Sequence, residues 1–221
     1  AFWFGRSWNP DGSRLKFLER LPEGSRRILR IAGGVVLLAG LSFVLYQPYA
    51  NWYGLGYGEI ELWRGTRTPL LAYLVHWGLF LFVILAWMAW ETREWMANTP
   101  VSALHKLRSY RGLIWGAAGL LVLAIIVLLI LGVGIAWFVL PLAAWAGVLL
   151  LRPDQTDARR FVLFLIGTGL VLTLMVEVIV LRGDIGRMNT VFKFYLQVWT
   201  FFAISAAAAF GWLLVALPRW L

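Results

Sequence analysis

Hydrophobic residues fall into six long blocks along this 221-residue chain, separated by short polar or glycine-rich segments. Each block is nearly continuous, so it predicts a helix apolar on all sides rather than one with a single buried stripe. The blocks lie at about 31–47, 69–90, 112–131, 133–151, 161–181 and 191–217. Because a hydrocarbon core takes about 20 helical residues to cross, they predict an all-α fold, a polytopic transmembrane bundle of about six spans. The first block is expected to end at Pro48, with Tyr46 and Tyr49 as interface anchors. Gly132-Val-Gly134 predicts a tight hairpin between the third and fourth spans. Arg152-Pro153 closes the fourth, because proline lacks the N–H that would continue a helix. The organisation expected is therefore a basic cytoplasmic segment over 1–30 followed by a six-helix domain over 31–217. An Ala start without a cleavable signal pattern suggests a fragment of a longer chain.

Composition agrees with a membrane setting: 61% of residues are hydrophobic and only 14% charged. The net charge of +9 would suit nucleic acid in a soluble protein. In a bilayer protein it is instead what cytoplasmic loops require, so no nucleic-acid partner is expected. The segment before span one, the loops between spans two and three and between four and five, and the tail hold fifteen Lys and Arg residues. The loops 48–68 and 182–190 hold four: Arg64, Arg67, Arg182 and Arg187. That asymmetry predicts both ends in the cytoplasm and these two loops outside.

Tryptophans such as Trp52, Trp77, Trp90 and Trp199 lie near the predicted span ends, where amphipathic rings favour the headgroups. Gly112, Gly116 and Gly119 in span three, and Ser205, Ala207, Ala209 and Gly211 in span six, are spaced for close helix contact. The absence of cysteine excludes thiolate chemistry and disulfides. No Ser-His-Asp set, HExxH or carboxylate cage is present, so no metal site is predicted and no cofactor is assigned. His76 falls inside span two; a lone intramembrane histidine could ligate a pigment, haem or metal, but it more often hydrogen-bonds within the bundle. His105 is expected in solvent or at the lipid surface, within a segment 92–111 that could form an interfacial amphipathic helix.

Candidate chemistry concentrates in the two outward loops. The first is rich in aromatics and in Gly54, Gly56 and Gly58, and suits a flexible interfacial loop in which Glu59 and Glu61 pair with Arg64 or Arg67. The second, between spans five and six, carries Arg182, Asp184 and Arg187, with Glu177 just before it inside an apolar block. Asn189 or Thr190 can cap span six. Helical phase then puts Asn189, Lys193, Gln197 and Thr200 on one face, expected to turn toward the bundle interior or an aqueous cavity. A helix N-terminus attracts anions, and Arg187 and Lys193 add full charges, so a phosphate or carboxylate is the natural ligand. Glu177 and Asp184 either neutralise the basic residues in a structural network or supply a general base while Arg182 and Arg187 hold substrate.

The string Arg187-Met-Asn-Thr-Val-Phe-Lys-Phe-Tyr-Leu-Gln-Val-Trp199 resembles the C-terminal part of the YYY-type membrane proteins of Chloroflexi and archaea. Glu177, Asp184 and the Thr68-Pro69-Leu70 opening of span two fit the same pattern, over roughly residues 40–205. The family's Asn-Tyr-Tyr-Tyr and Asp-Leu-His-Pro-His stretches are absent from this chain. Its multi-span layout is similar to that of GT-C glycosyltransferases. The resemblance implies a prokaryotic plasma-membrane protein in which Arg187 and Lys193 hold the phosphate of a polyprenyl-phosphate-linked sugar at the outer face. The alternative is a non-enzymatic accessory subunit of a larger, pigment-bearing membrane complex, with membrane lipids and partner subunits as its contacts.

Overall fold

The computed structural model describes residues 23–52, 59–100, 108, 110–153 and 155–217, with side chains from residue 32 onward. Most of the basic segment 1–30, the glycines Gly54, Gly56 and Gly58, and His105 lie outside the described residues. The chain divides into two compact units, Ala1–Gly56 and Tyr57–Leu221. In the first, helix α1 covers Glu23–Trp52. It continues through Pro48 for another turn instead of ending there. A proline in a helix forfeits one backbone bond without unwinding the turns beyond it. The Tyr46 and Tyr49 rings lie 4.9 Å apart on this turn.

The second unit contains α2 (Leu70–Asn98), α3 (Arg111–Ile130), α4 (Ala136–Leu151), α5 (Asp157–Val178) and α6 (Met188–Ala216). Among the described residues, five of the six helices, α1 included, are long and apolar enough to cross a membrane. The 16-residue α4 is shorter, reaching about 24 Å at 1.5 Å per residue. Gly132, at φ 82°, makes the turn between α3 and α4; an L side chain would be strained there. Helix α5 is central. It packs on α4 on one side and α6 on the other, α6 also packs on α2, and α3 leans on α4.

The core runs along one face of α2 through Tyr73, Trp77, Leu81, Ile84, Trp87 and Met88, which meet Val139, Ile166, Leu170 and Phe202. Trp77 and Trp90 are therefore buried residues, not headgroup anchors. Helix α2 extends to Asn98, which leaves Trp90 two turns inside it. Gly169 makes room for α6 on α5, since a Cβ there would stand 2.5 Å from the Phe202 ring. Ser205 and Ala209 are buried on α6. Gly112, Gly116 and Gly119, by contrast, lie on an open face of α3 with nothing against them, so they are not close contacts between described helices.

A small antiparallel ribbon departs from the all-helical expectation. Strand β1 (Ile60–Leu62) pairs with β2 (Ile179–Leu181), with Glu61 opposite Val180. It is extended by bonds from Trp63 N to Val178 O, 2.8 Å, and from Arg182 N to Glu59 O, 2.9 Å. The expected span five ran on to residue 181, but the β-branched Ile179-Val180 pair takes the extended state and α5 ends at Val178. The first loop is thereby fastened to the second.

Candidate functional site at the Glu177 end

Glu177 stands in the last turn of α5 and is fully buried. An unpaired carboxylate at such a place would be very costly, and three donors meet it. Its Oε2 accepts from the Thr68 amide at 3.0 Å, and its Oε1 accepts from the Thr68 hydroxyl at 2.6 Å. Arg187 Nη1 lies 2.8 Å from Oε1. The same guanidinium donates to Val176 O and to Thr68 Oγ1, each at 3.0 Å, and sits over the Trp63 ring. Thr68 precedes α2 and Arg187 precedes α6, so one carboxylate joins the ends of three helices. Arg67 lies beside this cluster, donating to the carbonyl of Trp63 and, at 3.5 Å, to that of Leu131. Its Nη1 is buried without a partner.

Asp184 has a different task. Its Oδ1 accepts from the Asn189 amide at 3.1 Å, and its Oδ2 accepts from the Thr190 amide at 2.8 Å and the Thr190 hydroxyl at 2.7 Å. The sequence had suggested Asn189 or Thr190 as the cap of α6, whereas the N-cap position is Arg187, which makes no side-chain cap bond. The aspartate reaches across the turn to take the free amides instead, and the Thr190 hydroxyl accepts from the Leu181 amide at 3.2 Å. Partial burial opposes the ionised form of Asp184, but hydrogen bonds from Thr190 and from the Asn189 and Ile185 amides outweigh it. Its carboxyl is held below the usual carboxylate range.

Arg182 is not part of the Glu177 cluster. It pairs across the ribbon with Glu59 and, at 3.3 Å, with Glu61. These glutamates were expected to find Arg64 or Arg67, but the strand register brings Arg182 to them. Lys193 and Gln197 are exposed on α6, and Asn189 is partly exposed at its start. The polar face thus looks outward from the described residues rather than into the bundle, because Val198, Phe202, Ser205 and Ala209 take the packed side. Thr200 turns its hydroxyl back to Leu196 O. Around the ribbon lies an open cleft of about 730 Å³, lined by Glu61, Trp63, Arg64 and Asp184 with the glycines Gly183 and Gly186.

His76 is exposed on α2, its ring 4.4 Å from Trp77, 5.7 Å from Tyr195 and 6.5 Å from Trp199. No group of three potential metal ligands occurs among the described residues. The residues that sequence reasoning undervalued are Thr68, Arg67 and Trp63, which complete the Glu177 cluster. Their one available signal was a Thr-Pro helix start flanked by arginine.

A family model of uncharacterised membrane proteins, DUF2298, matches residues 6–202, and the chain belongs to that family. Neither a curated protein nor a solved structure matches it.

Proposed function

Taking membership of a membrane protein family as the premise, we propose that this chain is the donor-holding part of a glycosyltransferase-like membrane protein that takes a polyprenyl-phosphate-linked sugar from the outer face of a prokaryotic plasma membrane. The observation that carries it is the continuity between the ribbon cleft and α6. Asp184 lines the cleft and also fixes the start of α6, whose exposed face bears Asn189, Lys193 and Gln197 beside exposed Phe192 and Leu196. A sugar in the cleft, a phosphate near Lys193 and a prenyl chain along the apolar surface would follow that order of chemistry. Basic-residue asymmetry supports an outer location for this end.

In this role Glu177 and Arg187 act through one another. Arg187 already faces a carboxylate at 2.8 Å, so it holds the cleft and α6 in place while Lys193 supplies the charge for phosphate. Asp184, ionised at neutral pH, is the carboxylate at hand to orient an acceptor hydroxyl in the cleft it lines. Binding of a short-chain polyprenyl-phosphate hexose to the full-length protein in nanodiscs tests this. Lys193→Ala should weaken binding at least tenfold, and Arg187→Ala should do so indirectly. Unchanged binding and transfer in both variants would sink the proposal.

One observation favours a second reading, an accessory subunit of a larger complex. Helix α3 buries none of its residues, and Gly112, Gly116 and Gly119 leave one of its faces open to close approach. Extraction from native membranes should then bring a partner subunit along, and a monodisperse, colourless monomer would count against it.

A further inference from the structure

At the opposite end of the bundle, an apolar groove between α4 and α5 leads to a guanidinium that has no acidic partner among the described residues. The groove encloses about 340 Å³ and is lined by Ala143, Gly147, Leu150, Phe164, Gly167 and Val171, among others. Small residues on both helices leave the space. A Cβ added at Gly147 or Gly167 would meet nothing within 4 Å. On α5, Arg160, Phe164, Gly167 and Val171 follow at four, three and four residues, so they share one face with Arg160 at its end. From Arg160 to Val171 the face runs about 16 Å at helical rise, roughly half of a 30 Å hydrocarbon core.

The arginines at the mouth are not equivalent. Arg152 and Arg159 both reach the buried Glu91, at 3.5 and 2.8 Å, and lie over Trp95 and Trp212. Arg160 donates from Nη2 to Arg152 O at 3.3 Å and makes no ion pair among the described residues. Its Nε is buried with no acceptor. Asp157, in the first turn of α5, is exposed. A part-buried guanidinium with an unsatisfied donor is best relieved by an oxyanion, which arginine can take with two parallel bonds after a small rotation.

We infer that this groove is a binding site for one anionic phospholipid, with its acyl chain between α4 and α5 and its phosphate on Arg160. The site is independent of the function proposed for the Glu177 end. Phosphate alone would not need the groove. Both kinds of head carry a phosphate, but a choline head also brings a cation beside Arg152, Arg159 and Arg160, so the cluster selects a lipid whose head is anionic overall.

The test is native mass spectrometry of the full chain in detergent, titrated with phosphatidylglycerol or phosphatidylcholine of equal chain length, with glycerol phosphate as a soluble competitor. The wild type should retain phosphatidylglycerol at least fivefold over phosphatidylcholine. Arg160→Gln should abolish that preference, and Gly167→Leu, which fills an open space, should lower retention of both lipids severalfold. Circular dichroism checks that each variant is folded. Should Arg160→Gln fail to fold, Gly167→Leu and the wild-type preference still decide. Equal retention of the two lipids by the wild type, retention unaffected by Gly167→Leu, or displacement by equimolar glycerol phosphate would each overturn the inference.

Discussion

Two buried glutamates hold α2 against α5, one at each end of the bundle, and they are satisfied in different ways. At one end Glu177 receives the Thr68 amide, the Thr68 hydroxyl and Arg187, all within 3.0 Å. At the other, Glu91 takes Arg159 at 2.8 Å but Arg152 and Gln155 only at 3.5 Å. The first is a closed set of short bonds in which one neutral residue, through its amide and its hydroxyl, supplies two of three donors. The second rests on charge, with longer contacts and two arginines stacked on tryptophan faces. The difference in exposure lies in Arg159, which is 38% accessible, since Arg152 at 17% is as covered as Arg187 at 16%. A tight, specified geometry suits a place that must hold a cleft and a helix start in register. A looser cationic set suits the anionic lipid head proposed for the Glu91 end.

The largest effect should therefore come from breaking the closed set. Glu177→Ala strands Arg187 in a desolvated place, and removing one member of a buried pair costs about 3–5 kcal/mol. The double variant Glu177→Leu/Arg187→Met removes both charges and should lose less stability than Glu177→Ala alone. Thermal or denaturant unfolding in detergent measures both. If the losses simply add, the two residues are not coupled as their 2.8 Å contact implies.

Glu91→Ala should be milder, about 1–3 kcal/mol, because Arg159, 38% accessible, can turn its charge to water. Added salt should narrow the gap between wild type and Glu91→Ala more than that between wild type and Glu177→Ala, since exposed charges are screened and buried ones much less. An equal salt response at the two ends would erase the distinction between them.

Hydropathy makes the helices legible, because a bilayer leaves the backbone little choice but to form them. It misplaces their ends where polarity and helix continuity disagree. Thr92, Arg93 and Glu94 look like loop residues after an apolar block, yet α2 continues to Asn98 and so places Glu91 in the interior. Ile179-Val180-Leu181 fails the opposite way: its apolar side chains prolong α5 on paper, and only pairing with β1 reveals a strand. The Glu177 cluster is visible in the sequence as a concentration of charge, but its pairings are not. They depend on Thr68, 109 residues away, and on which helices are neighbours. The outward turn of Lys193 and Gln197 is likewise a matter of which face of α6 the small and aromatic residues claim for packing.

Asp184 sharpens the comparison by a smaller effect at the Glu177 end alone. Asp184→Ala removes the acceptor for two α6 amides, and losing a cap of this kind costs about 1 kcal/mol. Because its folded-state carboxyl titrates below the usual range, the stability it lends is fully present above its unfolded pKa of about 3.9. That contribution fades as pH falls through the lower folded value. The difference in stability between wild type and Asp184→Asn should accordingly hold constant from neutral pH to about pH 4 and shrink below it. A difference that instead grew on acidification would mean the folded carboxyl is raised, and that Asp184 does not act as the anionic cap of α6.

The smallest effect is expected at Arg182, although it makes two ion pairs. Glu59, Glu61 and Arg182 are each more than half exposed, and exposed pairs contribute about 0–1 kcal/mol. The ribbon they decorate is fixed by backbone bonds at Trp63 and Arg182, which the Arg182→Ala chain retains. Unfolding should then shift by less than about 1 kcal/mol, while hydrogen exchange at the Arg182 amide stays slow. Faster exchange there, with global stability unchanged, would show that the side-chain pairs rather than the backbone ladder hold the first loop to the second. The cleft would then depend on solvent-screened charge instead of on the rigid frame that Glu177 and Arg187 provide beneath it.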